Sequence, residues 1–73
     1  MAYYELINLS SGNQIGEYNT EEEALLDVVT MLQRHGEKSL DAIALGQVDE
    51  GHGKIIAEGP ALAQRATRSV VAA

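Results

Sequence analysis

The sequence predicts an α+β, two-layer domain: a four-stranded, mainly antiparallel sheet (β-β-α-β-β) packed on one long helix, followed by a short C-terminal helix. Three observations carry this expectation. Two apolar-rich segments, over residues 3–18 and 40–58, are each interrupted by turn residues and read as hairpins. Between them, Asn19-Thr20-Glu21-Glu22-Glu23-Ala24-Leu25-Leu26 has the pattern of a capped helix start. The chain has 73 residues, the size of one domain. Residues 1–66 are assigned to the domain and 67–73 to a C-terminal tail.

Residues 3–9 read as the first strand, with Tyr, Leu and Ile interleaved with Glu5 and Asn8. Ser10-Ser11-Gly12-Asn13 is turn chemistry, because Gly and Asn tolerate positive φ. Residues 14–18 return as the second strand, and Gly16 in its middle predicts a bulge or a close approach.

The helix is expected over residues 20–35. Thr20 is placed to accept from the N–H of Glu23, and the Glu23 carboxylate to reach back to the N–H of Thr20. Three acids occupy the first turn, Arg34 and His35 the last, each complementing the helix dipole. Gly36 follows as the expected terminator. Leu25, Val28, Val29 and Leu32 form the core stripe. Ala24, Met31 and Leu26 widen it to an arc of roughly 220°, more than one sheet face covers. A second contact is therefore expected, either from the C-terminal segment or from a second subunit.

Residues 40–48 read as the third strand. Ala42, Ala44 and Gly46 make a small-residue face that lets a helix pack closely, and Ile43 and Leu45 make the other. Asp49-Glu50-Gly51-His52-Gly53 is expected to be a five-residue hairpin loop before a fourth strand over residues 54–58. Gly59-Pro60 ends the sheet, and Pro60 suits the first turn of a short helix over residues 61–66 that docks through Leu62, Ala63 and Ala66. Val70 and Val71 are expected to extend that docking or to add an edge contact.

Composition narrows the function classes. There is no Cys and only two His, so disulfides and the common Cys/His zinc sites are not expected. A chain this short buries only about 60 % of its unfolded surface, and without a staple it is expected to self-associate. The net charge of −6 sits entirely in residues 1–33, which hold six acids and no Lys or Arg. No basic stripe is present, so direct nucleic-acid binding is not expected. The start of the chain lacks a basic n-region and the longest apolar runs are four residues, so neither a signal peptide nor a membrane span is predicted, and the expected compartment is cytoplasmic.

No catalytic, cofactor-binding or metal residue is assigned. The serines lack a neighbouring base, and Gly53-Lys54 lacks the glycine and the hydroxyl that a phosphate loop needs. Asp49, Glu50 and His52 lie too close in sequence to surround one ion. The expected function is a non-catalytic acidic interaction module. It forms a homodimer through Leu26, Met31, Ile43 and Leu45, and offers Glu5, Glu17 and Asp27 to a basic protein partner.

The segment Glu17-Tyr18-Asn19-Thr20-Glu21-Glu22-Glu23-Ala24, set between two hairpins, resembles the β-β-α-β-β modules of small bacterial families. Among these it is similar to the N-terminal domain of HicB-type antitoxins, which resembles a partial ribonuclease H fold. The resemblance covers residues 3–58 and rests on the Thr-x-Glu-Glu-Ala helix start and the hairpin order. The glycine- and proline-rich stretch usual before the helix in that family is absent. The resemblance implies an alternative function, an antitoxin-like neutraliser of a small basic toxin.

Overall fold

A computed structural model describes residues 2–72, with side chains described through Ser69. The elements are β1 (Ala2–Asn8), β2 (Asn13–Tyr18), α1 (Glu21–His35), a 3₁₀ turn (Glu37–Leu40), β3 (Ile43–Asp49), β4 (His52–Glu58) and α2 (Gly59–Ala72). The sheet is antiparallel throughout, in the order β2-β1-β3-β4. Both hairpins are therefore intact and join side by side through β1 and β3. The molecule is a slab of 32 × 31 × 16 Å, two layers deep. Among the described residues, no helix is long and apolar enough to cross a membrane.

The helix start follows from its cap. Thr20 Oγ1 accepts from the N–H of Glu23 at 3.2 Å. The return bond from the Thr20 N–H to the Glu23 carboxylate is not formed among the described residues. Gly36 closes the other end, its N–H donating to the Leu32 carbonyl at 2.9 Å. Ala24, Leu25 and Val28 are buried, and Val29, Met31 and Leu32 pack half-buried around them. That leaves about 160° of the apolar arc covered, at 100° per residue. Leu26 lies outside it, 62 % exposed.

The second contact is supplied by the chain itself. α2 has 14 residues, against 15 in α1. The expected short helix and tail from Thr67 are thus corrected to one continuous helix. Its physical basis is a small-residue seam: Leu62, Ala63 and Ala66 are all buried, which lets the backbones of α1 and α2 approach. Thr67 Oγ1 donates to the Ala63 carbonyl at 2.9 Å, so the residue read as the start of a tail is held inside the helix. A bidentate ion pair joins the two helices, with Arg65 Nε at 2.7 Å from Glu21 Oε2 and Nη2 at 3.1 Å from Oε1. The docking expected of Val70 and Val71 lies outside the described side chains.

Two further corrections concern turns. The β3–β4 connection is two residues rather than five, because Asp49 pairs with His52. Glu50 (φ 52°) and Gly51 (φ 80°) both take positive φ, as a tight primed hairpin turn requires. β3 also begins at Ile43 instead of residue 40. Leu40 closes the 3₁₀ turn and is fully buried beneath the helices.

The chain passes from β4 into α2 without a loop. Gly59 makes that corner possible at φ 55°, a conformation L side chains rarely adopt.

Candidate functional site

The core lies between the sheet and the two helices. Leu6, Ile43, Leu45 and Ala57 reach it from the sheet, and Leu40 and Leu62 from above. Strand alternation sends the intervening residues to the opposite side. Ala44, Gly46 and Val48 of β3 therefore face away from the helices, with Tyr3, Glu5 and Ile7 beside them on β1.

This reverses the expected assignment of β3. The small-residue side does not carry the helix. It is the open side, and the helices cover Ile43 and Leu45, which are 5 % and 0 % exposed. The physical reason is volume. Two helices standing over the sheet leave a gap that branched side chains fill, whereas small ones leave a void. Ile43 and Leu45 are thus committed to the chain's own core and stand on no free surface. Of the other two residues assigned to self-association, Met31 packs half-buried against the core and Leu26 alone is exposed.

The open face has a definite shape. The register aligns Glu17, Glu5, Gly46 and Ile55 in one row across all four strands. Tyr3, Val48 and Gly53 form a parallel row. A shallow hollow of about 280 Å³ lies over the two glycines, bordered by Glu5, Ile7, Lys54 and Ile55. Ala44 is fully buried on this side although it belongs to no part of the helix-covered core, and Ile55 is 48 % exposed. An antiparallel sheet with one solvated face normally alternates apolar and polar residues. Here the central strand departs from that alternation.

The expected acidic surface divides. Glu5 and Glu17 are direct cross-strand partners on the open face, and Gln14 Nε2 donates to Glu5 Oε2 at 3.0 Å. Asp27 lies in the helical layer, where its Oδ2 accepts from the Tyr18 hydroxyl at 2.6 Å. Burial, reinforced by that bond to Asp27, raises the Tyr18 pKa well above its ordinary value of 10.0.

Other hollows offer less chemistry. One of about 510 Å³ lies at the start of α1 and includes Tyr4, Thr20, Glu21, Glu22 and Ser69 in its wall. One of about 330 Å³ lies beside the β3–β4 turn and holds Asp49, His52 and Lys54. Among the described residues, no three His, Asp or Glu side chains gather as a metal site.

Sequence reasoning missed Tyr3, Ile7, Val48 and Ile55 as one surface. The available signal was β3 itself, apolar on both sides; which side the helices take depends on tertiary packing. No family model matches the chain, and neither the curated proteins nor the solved structures contain a match to it.

Proposed function

We propose that this chain is a non-catalytic acidic interaction module that self-associates as a homodimer through the uncovered face of its sheet. One observation carries the reading. The central strand β3 is apolar on both sides, yet the helices cover only the side bearing Ile43 and Leu45. The edges favour the same surface. Both edge strands carry a bulge, at Ile15 in β2 and at Ile56 in β4, and β4 also carries Lys54. Bulges and lysines blunt edge-to-edge pairing, so association by extending the sheet is disfavoured. The size argument remains: a cysteine-free chain of 73 residues gains from a partner. The cysteine-free composition also suits a reducing, cytoplasmic setting.

Sedimentation of two variants tests the reading. Val48→Glu puts a charge on the exposed end of the central strand of the open face and is expected to yield a folded monomer. Leu26→Glu charges the helical side and is expected to leave the dimer intact. A wild-type chain that stays monomeric at high micromolar concentration overturns the reading.

A second reading has its own observation. Glu5 and Glu17 stand directly opposite each other on the open face, and like charges at such positions destabilise a sheet. A cationic partner would relieve that repulsion, which favours an antitoxin-like neutraliser of a small basic toxin. Charge reversal at both positions is expected to abolish rescue from a small basic protein encoded beside it. Rescue that survives the reversal removes this reading.

A further inference from the structure

The charge on the open face has one sign. Strand alternation and the register place Glu5, Glu17 and Glu58 there, the last in line with Ala44. None of the five Lys and Arg residues joins them. Arg34 lies in α1, Lys38 in the 3₁₀ turn, and Arg65 and Arg68 in α2. Lys54 stands opposite Gln47, so its side chain leaves on the helix side.

Glu5 holds the centre of this face. Its side chain lies across Gly46, where an ideal Cβ would stand 3.4 Å from Glu5 Cγ and 3.6 Å from Oε1. The bare glycine leaves the room that Glu5 occupies. Oε2 accepts from Gln14, and among the described residues no base pairs with either oxygen. Glu5 is partly buried, as are Tyr3, Ile7 and Val48 on the same face, with Ile55 more exposed. A carboxylate set among apolar side chains and opposite a second carboxylate lacks a counter-charge, and its apolar neighbours lack cover. A small hydrated cation supplies only the charge. An uncharged apolar segment supplies only the cover and strips water from the acids at a cost. A basic amphipathic segment supplies both, because Lys and Arg carry apolar stems below their charged heads. The spacing suits a helix. Glu5 and Glu58 are two strands apart and one residue pair along, about 12 Å. Two helical turns rise about 11 Å, so bases seven residues apart reach both.

We infer that the open face is a docking surface for a basic amphipathic helix of another protein, which seats a Lys or Arg on Glu5 and lays its apolar side on Tyr3, Ile7, Val48 and Ile55. This inference rests on the basic-partner reading, and adds to it the face, the anchoring carboxylate and the form of the partner. A second copy laid face to face brings further acids, so a basic helix is the stronger occupant.

A labelled synthetic helix of Leu and Lys in heptads is the probe, read by fluorescence anisotropy. Its controls are the same peptide with Glu in place of Lys and with Ser in place of Leu. The wild-type chain is expected to bind the Leu/Lys peptide several-fold more tightly than either control. Glu5→Gln keeps an acceptor for Gln14 and is expected to weaken binding several-fold. Glu22→Gln makes the same change of charge at an exposed position of α1 and is expected to leave binding unchanged. Glu5→Gln also removes the repulsion from Glu17, so its melting midpoint is expected to rise as its affinity falls. A carboxylate kept for the fold alone would not show that opposition, and loss of both affinity and stability overturns the seat. Equal weakening in Glu5→Gln and Glu22→Gln means that net charge alone draws the peptide; the chain then still takes a basic partner, but not at this face. A Ser/Lys peptide that binds as tightly as the Leu/Lys peptide overturns the amphipathic partner. No binding of the Leu/Lys peptide overturns both the inference and the reading beneath it.

Discussion

The Tyr18 ring lies over Gly16 and its hydroxyl reaches Asp27, so three residues tie β2 to α1. A Cβ at position 16 would collide with the Tyr18 hydroxyl and come within 2.8 Å of its Cζ. Gly16→Ala is therefore expected to destabilise the fold by about 1–3 kcal/mol, an overpacking cost. In a Tyr18→Ala background most of that cost should vanish, and a double-mutant cycle by denaturant unfolding measures the coupling. Tyr18→Phe removes one charge-assisted bond at a partly exposed site and is expected to cost about 1–2 kcal/mol. The pH dependence has a definite sign. The folded-state pKa of Tyr18 is raised above the ordinary 10.0, so its contribution is complete below pH 10.0 and is lost as pH rises beyond it. Denaturation midpoints compared from about pH 8 to about pH 11 should show a steeper alkaline decline in the wild type than in Tyr18→Phe. Glu50 presents the opposite opportunity. It takes φ 52° with an ordinary side chain, where Asn is better suited. Glu50→Asn is expected to raise stability by about 1 kcal/mol.

The elements differ in how openly the sequence displays them. α1 was legible because every local signal agrees: the Thr20 cap, the acidic first turn, the apolar stripe and Gly36. Both hairpins were legible from turn chemistry, and the bulge beside Gly16 from that glycine. The tight turn after β3 was hidden because Glu50 is an unusual residue at positive φ. α2 was under-read because a short Ala-rich helix has no stability of its own; its length is set by docking on α1, which is a tertiary fact. The facing of β3 was hidden for the same reason. Residues apolar on both sides announce a central strand without saying which side the helices take. The seam between the helices is open to test. Ala66 is fully buried there, and Ala66→Leu is expected to cost about 1–3 kcal/mol by forcing the helices apart. Arg65→Ala should cost under ~1 kcal/mol by thermal unfolding, because the Arg65 side chain is 44 % exposed and its pair with Glu21 is largely screened.

On the scale of the whole molecule, α2 changes the reason for expecting a partner. The wide apolar arc of α1 called for a second cover, and the chain provides it from its own C-terminal helix. The residue left over, Leu26, is a single exposed leucine, and scattered apolar residues are ordinary on protein surfaces. The uncovered surface is instead the far side of the sheet, where Val48 of the central strand stands with Tyr3, Ile7 and Ile55 of its neighbours, over a buried Ala44 and Gly46. Two such slabs stacked sheet to sheet form four layers, helices outside and strands within, which places the acidic helix starts at the two outer surfaces.

Size-exclusion chromatography with light scattering, run on the wild-type chain across micromolar concentrations, tests this most directly. The expected mass rises to twice 7.8 kDa and returns to 7.8 kDa in Val48→Glu, with helix and strand content unchanged. A wild-type mass fixed at 7.8 kDa throughout would show that the open face meets water alone.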